Sequence, residues 1–206
     1  FKQMPETMKQ LGWVQFFSWF GLFCMWVYST PAIAQHIYGT DIEDSSSSLF
    51  NEAGNWVGII FGVYNAVSAG FALLLPIIAK KIGKKQAHSV ALTAGGLGLL
   101  SVYFVQDPIM LILSMSFVGM AWASILSMPY ALLAGTIPLT KMGIYMGIFN
   151  FFIVVPQIIS GIIGGPIVKN LFDSQAIFAL MMGGVSLLIA AVFAMFVVEK
   201  RNAEVT

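Results

Sequence analysis

The stretch GIYMGIFNFFIVVPQIISGIIGGP, residues 143–166, is long and apolar enough to cross a bilayer. A helix rising about 1.5 Å per residue covers the hydrocarbon core with roughly 20 apolar residues. The same stretch carries Asn150, Pro156, Gln157 and five glycines between Gly143 and Gly165, each of which has a cost in lipid. Gly143, Gly147, Asn150, Val154, Gln157, Gly161 and Gly164 recur at intervals of four and three, so they line one face of the predicted helix. Small residues let backbones approach closely, and in lipid that packing is a main attraction between helices. An amide in hydrocarbon needs a partner. This face is therefore expected to meet protein or water. Pro156 removes the donor for the Phe152 carbonyl, and a bend is predicted beside Gln157.

The rest of the chain has the same character. Of 206 residues, 58% are hydrophobic and 9% charged, with a mean hydropathy of +0.86; soluble domains carry about 25% charged residues. Division at the charges predicts six spans, at about 11–37, 55–79, 87–106, 109–132, 142–167 and 175–198, none with an Asp, Glu, Lys or Arg inside it. The fold class read from this is an all-α membrane protein, residues 1–206 forming one six-helix bundle. With a cytoplasmic N-terminus, Lys2, Lys9, Lys80, Lys81, Lys84, Lys85, Lys141, Lys200 and Arg201 lie inside and only Lys169 outside, a clear positive-inside bias. Asp41, Glu43, Asp44 and Glu52 then face outward, both termini face inward, and the expected location is a plasma membrane, the inner membrane of a bacterium.

Several function classes recede. The ten Lys and Arg form no patch interleaved with aromatics, so nucleic acid has no foothold. The single Cys24 excludes an internal disulfide and a cysteine-based metal site and reads as an apolar packing residue. No catalytic constellation lies within the spans, so neither an enzyme nor a cofactor is expected. Residues 1–10 are polar and begin with Phe1, not a signal peptide, so the chain is expected to start inside a longer protein.

Two similarities recur in the same order in both halves. Ser29-Thr30-Pro31 matches Ser127-Met128-Pro129, and Gly62-Val63-Tyr64-Asn65 matches Gly147-Ile148-Phe149-Asn150. Three spans starting inside followed by three starting outside make this an inverted three-plus-three repeat, an arrangement nested within the six-helix halves of major facilitator transporters. Span 2 has its own small and polar line, Asn55, Gly58, Gly62, Asn65, Ala69, Ala72 and Pro76. Gly62, Asn65, Gly147, Asn150 and Pro156 are thus candidates for a moving helix seam. In span 1, Ser18, Gly21, Met25, Tyr28, Ala32 and Gln35 share a face suited to a wet cavity, and Trp19, Phe23 and Trp26 lie on another, suited to packing or lipid. Tyr28, Gln35, Trp122, Ser124, Ser127 and Gln157 are the candidate substrate residues. The alternatives stay open: serines bonding back to their own helix, Trp122 as filler, and amides that only join helices. His36, at the end of span 1, reads as an interfacial hydrogen bonder.

Gly147, Asn150, Ile153, Val154, Pro156, Gln157, Gly165 and Pro166 resemble the eleventh helix of the glycoside-pentoside-hexuronide:cation symporters, a major facilitator family that includes the plant sucrose carriers and their animal and bacterial relatives. Ser127 to Leu132 is similar to the family's tenth helix, Gln15 to Trp19 and Ile37 to Gly39 to the two ends of its seventh, and Lys81-Ile82-Gly83-Lys84-Lys85 to its basic loop between helices eight and nine. Where plant carriers read D-T-D-W-M-G-R-E, this chain has Ser29 to His36 without formal charge, and bacterial relatives are the nearest match. The resemblance implies helices seven to twelve of a proton-coupled carrier of a disaccharide or glucoside such as sucrose or maltose. Its partners would be an N-terminal half of the same transporter, the lipid bilayer, protons and the sugar. A hexuronide or glycopeptide permease, or a self-contained six-helix channel or scaffold, are the other readings.

Overall fold

Gly83 turns the chain sharply between two helices. Its φ of +96° is open to glycine and strained for other residues, and it separates two helices by a single residue. The structure, a computed structural model, describes residues 4–40, 44–134, 136–137 and 139–198. Lys2, Asp41, Glu43, Lys200 and Arg201 of the charge count lie outside the described residues. Within them run α1 (Glu6–His36), α2 (Ser48–Ile82), α3 (Lys84–Ser101), α4 (Leu111–Leu133), α5 (Met142–Leu171) and α6 (Ile177–Met195). All six, with the short 3-10 turns that extend α3 and lead into α4, are long and apolar enough to cross a membrane.

The helix ends follow from local chemistry. The Ser47 hydroxyl accepts the Phe50 N–H at 3.2 Å and caps α2. Ahead of α4, Asp107 accepts the Ile109 N–H at 2.9 Å, with Pro108 at a position that needs no donor. Pro31, Pro76, Pro129, Pro156 and Pro166 all sit inside helices, where neighbouring helices in a bundle can satisfy the freed carbonyls.

Hydrogen bonds fix which ends meet. Thr7 donates to the Val198 carbonyl at 2.9 Å, Lys84 to that of Ala131 at 3.2 Å and Lys85 to that of Val197 at 3.3 Å. The start of α1, the α2–α3 corner and the ends of α4 and α6 therefore share one lysine-rich end. At the other end Trp56 donates to the Pro108 carbonyl at 2.8 Å, and His36 Nε2 lies 2.8 Å from the Tyr103 carbonyl.

The core is drawn together by glycines. A β-carbon on Gly21 would stand 2.6 Å from the Gly183 carbonyl oxygen, and one on Gly96 2.9 Å from that of Gly184. This seats α6 against both α1 and α3. Gly95 meets the Ala121 methyl and seats α3 on α4. These contacts put Gly21, Gly183, Gly184, Gly96, Gly95 and Ala121 at one level of the bundle. The helices follow one another around it as α5, α1, α6, α3, α4, α2, with α1 also touching α2 and α4. The flanking pair is the least covered: 22% of the apolar window of α2 and of α5 is buried, against 50 to 56% in the other four. With α1 and α4 meeting between the flanks and α3 and α6 behind, the arrangement fits a three-plus-three repeat.

Candidate functional site

Halfway along α4, eleven residues from either end, Trp122 meets two tryptophans of α1. Its ring centroid lies 5.8 Å from Trp19 at 79° and 5.6 Å from Trp26 at 89°, and Trp19 and Trp26 are 6.1 Å apart at 60°. Edge-to-face placement sets the positive rim of one ring on the negative face of the next. Spacing explains the partnership: Trp19 and Trp26 are seven residues apart, two turns of α1 on one side. The Trp26 N–H donates to the Tyr64 hydroxyl of α2 at 3.3 Å, and Tyr64 packs edge-on to Phe61 at 5.4 Å. All three tryptophans keep part of their surface uncovered. The result is a rigid aromatic cluster at mid-depth, where α1, α2 and α4 meet.

Trp19 and Trp26 thus pack against other rings, within what their face was expected to do, while most of the face expected to be wet is closed. Ser18, Gly21, Met25 and Ala32, expected on a wet face, are fully buried, whereas Trp19 and Trp26 stand at the partly open junction. The reason is volume: the Gly21–Gly183 contact leaves no room for an indole, so the large rings turn towards α4.

The candidate substrate residues are spread along the bundle. Trp122 and Ser124 lie close together on α4, but Ser124 is fully buried and its hydroxyl lies 2.7 Å from His88 Nδ1 of α3. Ser127 is exposed and bonds back to the Ala123 carbonyl at 2.7 Å, and Gln157 donates to the Ile153 carbonyl of its own helix at 3.1 Å. Tyr28 lies against Gly164 of α5, where an added β-carbon would be 2.7 Å from its hydroxyl. Gln35 lies away from these, lining a cavity at the end of α1 with His36, Thr40 and Gln175. Its amide donates to the Ser174 carbonyl at 3.2 Å and accepts the Ala176 N–H at 3.0 Å, which ties α1 to the α5–α6 connection.

The seam candidates other than Pro156 lie on the outer surface of the flanks. Asn55, Gly58, Gly62, Asn65, Ala69, Ala72 and Pro76 of α2 are all exposed, as are Gly143, Gly147, Asn150, Val154 and Gly161 of α5. Gly62 and Gly147 have open space where a β-carbon would stand. Asn65 donates to the Phe61 carbonyl at 2.8 Å, and Pro156 is buried. In the basic loop, Lys81 is exposed, Gly83 makes the corner, and Lys84 and Lys85 reach the α4 and α6 ends as described above. Cys24 is buried with its sulfur 3.4 Å from the Ser160 hydroxyl.

Two side chains with chemistry to offer were given no role from the sequence, Gln15 entering only as part of the resemblance and His88 not at all. Gln15 of α1 and His88 of α3 are fully buried polar residues. The signal was present, since an amide and an imidazole inside predicted spans are both costly.

No curated protein and no solved structure is matched by the chain. The family model of the Major Facilitator Superfamily matches residues 11–206, so the chain is an integral membrane protein of that superfamily, whose members carry solutes across membranes.

Proposed function

We propose that the chain is the C-terminal half of a sugar carrier of the glycoside-pentoside-hexuronide:cation symporter type, moving a neutral disaccharide or glucoside together with protons. The observation that carries this reading is the tryptophan cluster of Trp19, Trp26 and Trp122, at mid-depth and partly open. Pyranose rings present apolar C–H faces that stack on indoles, and sites near the midplane between repeats are where such carriers hold their solutes. The polar group bonded to the cluster, the Tyr64 hydroxyl, is uncharged. A hexuronide or another anion would need a cation to meet it, and every described Lys lies at or beyond a helix end.

Alternating access then assigns the flanks. The exposed stripes of α2 and α5 face a second six-helix half, and small side chains let the two halves rock closely together. The lysine-rich end is cytoplasmic, in a plasma membrane, by the nine-to-one bias of cations. This half has no carboxylate within its membrane-spanning core, so coupling carboxylates belong to the other half.

The test is uptake of labelled sucrose and maltose by the complete transporter in proteoliposomes, with and without an inward proton gradient. Gradient-driven uptake is expected, with Trp122→Ala raising KM about tenfold, roughly the loss of one good stacking contact. Absence of sugar uptake under any gradient, or wild-type kinetics for Trp122→Ala, sinks the reading.

A further inference from the structure

Among the described residues, six buried side-chain N or O atoms have no hydrogen-bond partner, and four of them belong to just over one turn of α1: Gln15 Nε2 and Oε1, Ser18 Oγ and Trp19 Nε1. A fifth, His88 Nε2, lies on α3. Unpaired polar atoms inside a bundle surrounded by hydrocarbon are rare because each forfeits its hydration without compensation. A group of them on one helix turn points to a ligand that is not always there.

Their placement narrows the ligand. Counted from the level of Gly21 and Ala121, Ser18 lies about 4.5 Å and Gln15 about 9 Å towards the lysine-rich end, while Trp19 and Trp122 are nearly level with each other. Gln15 and Ser18 are thus the tier directly beneath the tryptophan cluster, and the Trp19 indole belongs to both. Counted along the helices, aromatic and aliphatic side chains from three of them stand further towards the lysine-rich side. Phe149 of α5 is fully buried, with Tyr130 of α4 at 5.6 Å and Phe152 at 6.3 Å. Phe152 in turn packs against Gly12, and Met8 and Leu11 are fully buried. Tyr130 follows Pro129 directly, and Phe152 lies one turn before Pro156, where each helix lacks an internal hydrogen bond.

The chemistry narrows it further. The tier offers an amide donor, an amide acceptor, a hydroxyl and an indole N–H, with no formal charge. A cation would meet two N–H groups, and an anion would meet no positive charge. A neutral polyol, which needs donors and acceptors alternately, matches the set.

We propose that Gln15, Ser18 and the Trp19 N–H form a hydroxyl-binding tier on the sugar's path. They take up successive hydroxyls when Tyr130 and Phe149 withdraw and the solute leaves the tryptophan cluster towards the lysine-rich side. This inference rests on the sugar-carrier reading and adds to it the residues that recognise hydroxyls.

The test uses the complete transporter in proteoliposomes with Gln15→Leu and Ser18→Ala, which remove the polar atoms at similar or smaller volume. KM for the transported sugar should rise at least tenfold for Gln15→Leu. The KM ratio between that sugar and its deoxy analogues should collapse towards one at one hydroxyl position, because discrimination comes from groups left unpaired. The melting temperature of Gln15→Leu should equal or exceed that of wild type. Wild-type KM and wild-type discrimination in both variants overturn the proposal while leaving the sugar-carrier reading intact. A lower melting temperature with unchanged discrimination identifies a structural amide held by trapped water, and also overturns it. Failure of the wild type to carry any sugar removes the carrier reading and this inference together.

Discussion

His88 Nδ1 and the Ser124 hydroxyl lie 2.7 Å apart, both fully buried, in a polar contact that joins α3 to α4 beneath the tryptophan cluster. Ser124→Ala strands the imidazole nitrogen and should destabilise the chain by about 1–3 kcal/mol. His88→Leu combined with Ser124→Ala removes both partners and should recover most of that loss. Thermal melts of the four proteins of this cycle, in one detergent at one pH, give the coupling directly; strictly additive losses would show that the pair does not act as a unit.

Glycines divide into packers and surface residues, and alanine tells them apart. Gly21→Ala pushes a methyl onto the Gly183 carbonyl, where an added carbon stands at 2.6 Å, and should cost about 1–3 kcal/mol with a matching fall in melting temperature. Gly147→Ala meets nothing within 4 Å and should leave the melting temperature of the chain within about 1 °C, or rise slightly from better helix propensity. Equal effects at the two positions would contradict the packing described here.

Asn150 separates bundle stability from assembly. It is exposed on α5, so Asn150→Leu should leave the melting temperature of this chain unchanged. In the complete transporter the same change should slow uptake severalfold with little effect on KM, because the seam moves and the solute site does not. A rise in KM at unchanged maximal rate would place Asn150 at the solute instead.

Gln35 holds the turn between α5 and α6 through both atoms of its amide. Gln35→Ala removes two hydrogen bonds at a partly exposed site and should cost about 1 kcal/mol. It should also raise cleavage by a nonspecific protease at residues 172–176 severalfold, read from fragment masses. Protection equal to wild type would show that the turn is held by other contacts.

Six spans were legible because a bilayer imposes length and apolarity on each crossing, and the stretch at 143–166 satisfies both openly. The small and polar lines of α2 and α5 were legible for a related reason: intervals of three and four place Gly143, Gly147 and Asn150 on one face in any straight helix. The faces of α1 were not legible from periodicity, which groups residues without saying what each group meets. Trp19 and Trp26 read as packing or lipid residues until Trp122 stood beside them, and that depends on how α4 is seated by Gly95 and Ala121. Gln35 reads as a cavity amide from its spacing, but its two bonds to the backbone of Ser174 and Ala176 depend on where the α5–α6 turn is brought. Local composition and spacing therefore determined that this chain crosses a membrane six times and which residues share a face. Only tertiary packing decided where those faces point, because close contacts such as Gly21 on Gly183 admit one rotation of α1 and carry Gln15, Trp19 and Trp26 to the places they occupy.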